Sequence, residues 1–265
     1  MLDALRLLAC LACAQAAPAA SPADAPAVDV ELVLAVDISL SMDEREFALQ
    51  RAGYVEALRH PDFIKAVRAG ATGRIALAYF EWAGTVRDDA VIGWQIIDSA
   101  ESANSFADKV AARPFRSFRG TSISGALAFG TELFERTSFQ GERSVIDISG
   151  DGPNNIGPPV TATRDAATAR GIVINGLPIL INPSPTFSHL DQYYAQCVTG
   201  GPGSFVLPIH AATEFSTAIR RKLILEVSGI QGRIIPVDAA APIDCLQGER
   251  DRRFLSDPYF PELDR

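Results

Sequence analysis

The chain has 265 residues, of which 48% are hydrophobic and 21% are charged, and its formal net charge is −8. This length and composition predict a globular protein with one sizeable core, and they exclude the fibrous, collagen-like and coiled-coil classes. The acidic balance and the lack of a basic patch in the sequence argue against nucleic acid or an anionic membrane surface as the partner.

The N-terminal residues are typical of an export signal. The apolar run Leu7–Ala14 is too short to span a membrane, which takes about 20 residues. It suits the apolar core of a secretory signal, and Ala14–Ala16 suits the small-residue cleavage site. We therefore predict a signal peptide over residues 1–16 and a periplasmic or secreted mature protein, with a lipid anchor at Cys10 or Cys13 as the alternative. No later apolar run is long enough for a transmembrane segment.

A Pro/Ala linker is predicted over residues 17–27, and apolar runs then alternate with amphipathic stretches as far as residue 228. Strands are predicted at 28–36, 74–82, 91–98, 144–149, 172–180 and 204–209. Helices are predicted at 44–60, 101–112, 122–136, 159–171, 187–197 and 212–227. The alternation predicts an α/β domain over residues 28–228, a doubly wound, mostly parallel sheet with helices on both faces.

Residues 229–265 form a C-terminal extension that is rich in proline and charge. We expect it either to pack back onto the domain or to be partly disordered. Signal cleavage leaves two cysteines, Cys197 and Cys245, and an oxidising compartment favours one disulfide between them. Closing that loop would contribute about 4 kcal/mol on the chain-entropy model. Two buried thiols are the alternative.

Oxygen-bearing side chains stand at strand ends or helix starts in three segments. The first strand runs into Asp37, which is followed by Ser39 and Ser41 in the segment DISLS. Thr121 precedes a predicted helix, and Asp151 follows a predicted strand. Ligands of a doubly wound sheet bind outside the carboxyl ends of its strands, so we expect these side chains to face one another.

Each of these residues also fits an ordinary structural role. Ser41 and Glu44 match an S-x-x-E capping box for the first helix, and Thr121 is a good N-cap for the helix that follows it. Asp151, between two glycines, fits a turn. Short motifs of this kind often match by chance, so none of them identifies a site by itself.

Taken together, the residues indicate a cation site. Asp37 ends an apolar strand, where a buried carboxylate is unfavourable unless it is paired or bound to a metal. No lysine or arginine follows it before Arg45, and the carboxylate of Asp151 would repel it. Carboxylates with neutral hydroxyls suit a hard cation such as Mg²⁺ or Ca²⁺, whereas Zn²⁺ and Cu²⁺ prefer His or Cys.

The segments DISLS, GTS and SGDG, in this chain order, resemble the metal-ion-dependent adhesion site (MIDAS) of the von Willebrand factor A domain. The chain is also similar to a group of secreted bacterial A-domain-like proteins without an established role. The resemblance implies a binding module in which a divalent cation, Mg²⁺ first and Mn²⁺ or Ca²⁺ otherwise, accepts a carboxylate from a protein or peptide. The metal ligands that it implies are Asp37, Ser39, Ser41, Thr121 and Asp151. Gly150 stands where many adhesive members have threonine.

An enzyme is the alternative. Asp37 stands where an aspartyl-phosphate phosphatase has its nucleophile, which would make the chain a metal-dependent hydrolase. Ser39 occupies the position of the second acid that such an enzyme needs. Its phosphate would also call for a cation, yet none of the lysines Lys65, Lys109 and Lys222 follows a suitable strand end.

A serine hydrolase fits less well. The segment GTSIS over residues 120–124 begins like G-x-S-x-G but ends in Ser124. Of the histidines, His210, after the last predicted strand, stays open as a base. The binding module is therefore our interpretation of the sequence, with the hydrolase as its alternative.

Overall fold

The computed structural model describes residues 25–42, 44–181, 187, 189–229 and 242–255, with residues 253–255 described by their backbone alone. The predicted signal peptide and most of the predicted linker lie outside the described residues. One sheet of five strands forms the frame. The strands are β1 Ala27–Asp37, β2 Ile75–Trp82, β3 Val86–Ile97, β4 Gln140–Gly150 and β5 Ile172–Pro178.

The strand order is β3-β2-β1-β4-β5, with β1 at the centre. β1 pairs in parallel with β2 and β4, β4 pairs in parallel with β5, and β3 lies antiparallel at one edge. The chain leaves β1 for one side of the sheet and later enters β4 on the other side. The carboxyl ends of β1 and β4 are therefore a topological switch point, the place where ligands of open α/β sheets bind.

Helices cover both faces of the sheet. They are α1 Glu44–Arg59, α2 Pro61–Arg68, α3 Ala100–Ala111, α4 Ile123–Glu135, α5 Val160–Thr168, α6 Leu190–Tyr193, α7 Phe215–Ser228 and α8 Gln247–Leu255. A π-helical turn, Tyr194–Val198, follows α6, and a 3₁₀ turn, Ala212–Glu214, precedes α7. Within the described residues, no helix is both long and apolar enough to cross a membrane.

Alternate side chains of β1 enter two separate cores, which explains why this strand is apolar throughout. Leu34 packs with residues of α1, α3 and α7, whereas Val33 and Ala35 pack with residues of α4 and α5. The predicted fold class, a doubly wound and mostly parallel α/β sheet with helices on both faces, is confirmed.

One local prediction was wrong, and one helix was missed. Residues 204–209 do not form a strand, and only Val206 and Ile209 make single bridges beside β5. Pro208 interrupts this segment because it has no amide hydrogen to donate. The sequence analysis also missed α2, in which Pro61 occupies the first turn and the His60 side chain accepts a hydrogen bond from the amide of Asp62 at 3.1 Å.

The described part of the C-terminal extension packs back onto the domain. A disulfide joins Cys197 in the π-helical turn to Cys245, with the two Cα atoms 5.6 Å apart. This is the pairing that the sequence analysis favoured. Asp244 and Arg250 form an ion pair at the start of α8. The disulfide therefore fixes α8 close to the loops at the carboxyl ends of the strands.

Candidate metal centre

Three loops meet at the switch point. Asp37 is the last residue of β1, and its neighbour Val36 lies beside Ser149 of β4, so the loops after these two strands start next to each other. The loop before α4 joins them because Leu40 and Phe118 are linked by a backbone hydrogen bond of 3.0 Å. The sheet register and this contact bring together segments that are about a hundred residues apart in the chain.

A chain of hydrogen bonds links four of the five predicted ligands. The backbone amide of Ser39 donates to Oδ1 of Asp37 at 2.7 Å. The hydroxyls of Ser39 and Ser41 are 2.9 Å apart, and the Ser41 hydroxyl donates to Oδ1 of Asp151 at 2.7 Å. Oxygen atoms from the loops after β1 and β4 therefore converge, as the sequence predicted.

Thr121 is placed through its backbone. Its amide donates to Oδ1 of Asn155 at 2.9 Å, and the Asn155 amide donates to the Thr121 carbonyl at 2.8 Å. Thr121 lines the same cavity as Ser41 and Asp151, which has a volume of about 240 Å³. The N-cap of α4 is Ser122, whose hydroxyl accepts from an amide of the first turn at 3.1 Å. The alternative that Thr121 caps this helix was therefore wrong.

The surroundings of the two carboxylates disfavour their charged forms. Asp37 is fully buried, and its Oδ2 has no hydrogen-bond partner among the described residues. Burial, and then the charge of Asp151, raise the pKa of Asp37 well above its usual range. Burial raises the pKa of Asp151 to about 6, although the hydrogen bond from Ser41 opposes this and the charge of Glu46 adds to it. Both groups favour a neutralising partner.

The donor set fits a hard divalent cation. It combines the carboxylates of Asp37 and Asp151 with the hydroxyls of Ser39, Ser41 and Thr121, which are the neutral and anionic oxygen donors that Mg²⁺ takes in proteins. No cluster of three or more His, Cys, Asp or Glu side chains with metal-binding geometry occurs within the described residues. A site with two carboxylates and three hydroxyls contains too few of those side chains to form such a cluster.

Gln50 and Gly150 hold this arrangement, and of the two only Gln50 was not singled out from the sequence. Gln50 of α1 donates to the Asp37 carbonyl and accepts from the Ser149 hydroxyl, both at 2.9 Å, so it ties the ends of β1 and β4 together. A Cβ atom on Gly150 would lie 2.7 Å from Oδ2 of Asp37 and 2.8 Å from the hydroxyl of Tyr194. The signal for Gln50 was a polar residue on the apolar face of a helix.

Lys222 does not serve as the phosphate-binding cation that a phosphatase would need. Its ammonium group is fully buried and lies 2.6 Å from Asp147 and 2.8 Å from Glu226. No ion pair within the described residues includes Asp37. The side chain of Ser124, the last residue of the GTSIS segment, bonds weakly to the Ile156 carbonyl at 3.4 Å.

Most of the chain matches one protein family. Residues 27–231 match the family model described as "Protein of unknown function (DUF1194)". The chain belongs to the DUF1194 family. No curated protein matches its sequence.

Solved structures show which fold this DUF1194 member has. It is similar to proximal thread matrix protein 1 of the mussel byssus with a zinc-occupied MIDAS motif, at a TM-score of 0.54 and 15% identity over 77% of this chain and 49% of that chain. It is also similar to a von Willebrand factor type A protein from Catenulispora acidiphila. The TM-score is 0.52, and the identity is 14% over 76% of this chain and 43% of that chain. A third similar structure is the von Willebrand factor domain of the type V pili tip protein Mfa5 from Porphyromonas gingivalis. The TM-score is 0.54, and the identity is 10% over 82% of this chain and 98% of that chain.

These likenesses concern the fold alone, because the identities are low. The DUF1194 chain spans about half the length of the first of these structures and most of the length of the third. Its fold is that of a von Willebrand factor A domain, which is the fold that the resemblance implied.

Proposed function

We propose that this protein is an exported binding module that holds a divalent cation and, through it, a carboxylate of a protein or peptide partner. The module comprises residues 28–228 and is released by removal of residues 1–16. The cation ligands are Asp37, Ser39, Ser41, Thr121 and Asp151. The observation that carries the proposal is the environment of the buried Asp37 carboxylate.

The most deeply buried carboxylates of the described residues differ in their counterions. Glu81 lies 2.7 Å from Arg51 and 3.2 Å from Arg113, and Asp147 of β4 and Glu226 of α7 share Lys222. Asp37 has Asp151 as its charged neighbour instead, and its Oδ2 has no hydrogen-bond partner in the part of the chain that the structure describes. Burying a charge without a counterion is unfavourable, so a cation from solution is the natural partner for this edge of the sheet.

The residues present define what such a cation would do. When bound, it would supply positive charge and a coordination position for an incoming anion. The carboxylates of Asp37 and Asp151 would balance the charge of a divalent ion, and the neutral hydroxyls of Ser39, Ser41 and Thr121 would add no further negative charge. A coordination position left open on this hard cation would favour an anionic oxygen donor such as a partner's carboxylate. The oxygen donors favour Mg²⁺, with Mn²⁺ or Ca²⁺ as alternatives.

Three further observations support this proposal. One structural relative carries zinc in a MIDAS motif, and another is a pilus tip protein. The cavity of about 240 Å³ is smaller than the roughly 300–1,000 Å³ of sites for drug-sized ligands, so it suits a side chain rather than a large cofactor. The disulfide between Cys197 and Cys245 agrees with an oxidising, exported location.

Metal titration tests the proposal. Mg²⁺ at a hundredfold excess over Kd should stabilise the protein by about 2.7 kcal/mol, measured by urea unfolding. Asp37→Asn and Asp151→Asn should abolish this stabilisation while keeping the fold. Asp89→Asn is the matched control, because Asp89 is an exposed acid paired with Arg87 and Arg116.

The outcomes separate the two interpretations of the site. Full Mg²⁺ stabilisation in Asp37→Asn would remove that residue from the site and contradict the proposal. Turnover of a generic phosphate ester by the natural sequence, abolished in Asp37→Asn, would establish the hydrolase instead.

A further inference from the structure

Helix α8 forms one wall of the cavity at the candidate metal centre. Ser41, Thr121 and Asp151 line one side, and residues of α8 line the other. The family model ends at residue 231, so α8 lies beyond the part of the chain that matches the family. The cavity is therefore composite, with the donor loops on one wall and a helix outside the matched range on the other.

Several contacts hold α8 against the loop that carries Asp151. Oε1 of Glu249 accepts a hydrogen bond from the side-chain amide of Asn154 at 2.8 Å, and both side chains are buried. The Asn154 side chain also accepts from the amide of Ser124 at 2.9 Å, which connects this loop to α4. A Cβ atom on Gly248 would overlap the Asn154 carbonyl, so only glycine permits this close approach.

Arg252 brings a positive charge to the cavity. Its Nη1 lies 3.4 Å from Oδ1 of Asn155, the same oxygen that accepts from the Thr121 amide at 2.9 Å. Among the described residues that line the cavity, Arg252 is the only basic one, and Asp251 lies beside it. A guanidinium presents several donors in one plane and binds carboxylates in a bidentate manner.

We propose that the ligand of this site is a diacid, an acidic peptide segment in which one carboxylate meets the cation and a second meets Arg252. The inference rests on the proposed function, because it assigns the second half of the same ligand. The donor residues Ser41, Thr121 and Asp151 line the same cavity of about 240 Å³ as Arg252, so one short segment can present a carboxylate to each wall.

The test uses Mn²⁺ and two small acids. Carboxylate binding to protein-bound Mn²⁺ displaces metal-bound water, which is measured by the water-proton relaxation rate. Glutarate is compared with pentanoate, a monoacid with the same number of carbons. We expect glutarate to change the relaxation rate at a concentration about tenfold lower than pentanoate requires. A factor of two is statistical because glutarate has two carboxylates, and a factor of about five is the upper range for an exposed ion pair.

Variants of α8 locate the effect. Arg252→Gln should reduce the preference for glutarate to about the statistical twofold, with unchanged Mn²⁺ affinity and unchanged binding of pentanoate. Arg250→Gln is the matched control on the same helix, because Arg250 pairs with Asp244 and does not line the cavity. It should keep the full preference.

A second pair of variants tests the wall itself. Gly248→Ala should displace α8 and remove the preference, whereas Gly93→Ala, at a position with no atom within 4 Å of the added Cβ, should keep it. A preference that survives Arg252→Gln or Gly248→Ala, or that is absent from the natural sequence, would overturn the diacid proposal alone. Failure of Mn²⁺ to bind, or its binding to Asp37→Asn, would overturn the metal site instead.

Discussion

Two regions of this sheet bury carboxylates in opposite ways. Beside β4, Asp147 and Glu226 share the ammonium group of Lys222, which is as deeply buried as they are. At the carboxyl end of β1, Asp37 is equally buried but faces Asp151 and serine hydroxyls. The first region carries its own cation and is closed, whereas the second lies beneath a cavity that opens to solvent.

The difference separates a structural cluster of charges from the site of the proposed cation binding. Burial alone would lower the pKa of Lys222, but the charges of Asp147 and Glu226 raise it, so the ammonium group stays charged. Asn175 adds a hydrogen bond of 2.6 Å to Glu226. These groups satisfy one another and fix α7 to the sheet. Within the described residues, no ion pair supplies the carboxylates of the candidate metal centre with such an internal cation, which favours a cation from solution.

The largest expected effect comes from removing the internal cation. Lys222→Met should destabilise the protein by about 3–5 kcal/mol in urea unfolding, because it leaves two buried carboxylates without a counterion. Arg221→Met, at the exposed neighbouring position, is the control and should change stability by less than about 0.5 kcal/mol.

A combined variant separates lost charge balance from lost packing. Replacing Asp147 by Asn and Glu226 by Gln in the Lys222→Met background should recover much of the stability. A loss below about 1 kcal/mol for Lys222→Met alone would contradict the view that this region is structural.

Gly150→Ala should have the next largest effect, and it should act on the metal centre. The new methyl group would crowd Oδ2 of Asp37 and the hydroxyl of Tyr194, at 2.7 and 2.8 Å. Overpacking of this kind costs about 1–3 kcal/mol in unfolding free energy, and we expect Mg²⁺ affinity to fall at least about tenfold because Asp37 must move. Unchanged affinity by calorimetric titration would mean that Asp37 does not contact the ion.

Thr121 and Ser122, the adjacent residues before α4, have the smallest expected effects, and those effects differ in kind. Thr121→Val removes one neutral oxygen donor and should weaken Mg²⁺ binding about tenfold, with little change in metal-free stability. Ser122→Ala removes the N-cap and should cost about 1 kcal/mol in stability while leaving Mg²⁺ affinity intact. The reverse pattern, with the metal effect at Ser122, would exchange the roles that we assign to them.

The sequence predicted the parts of the molecule that depend on local patterns. Continuous apolar strands alternating with amphipathic helices defined the fold class, and Asp37 at a strand end pointed to the switch point. Lys222 was not predictable in the same way, because it follows two arginines in an ordinary helical stretch. Its burial results from the packing of α7 against β4, which no local pattern encodes.

Contacts between distant segments account for the other omissions. Gln50 is recognisable as a bridge only when the ends of β1 and β4 are adjacent. The choice between Thr121 and Ser122 as N-cap depends on one residue of helix register, which lies within the usual uncertainty of helix boundaries. The wall formed by α8 depends on the disulfide at Cys245 and on Asn154, which lie about ninety residues apart in the chain.

The disulfide also determines how tension would pass through the molecule. Cys197 is buried in the core beneath α4 and α5, whereas α7 belongs to the opposite core and lies within the loop that the bond closes. A pull applied beyond Cys245 reaches the sheet through the sulfur–sulfur bond and bypasses α7. In the oxidised protein, α7 is thus mechanically shielded, and reduction would place it directly in the line of force.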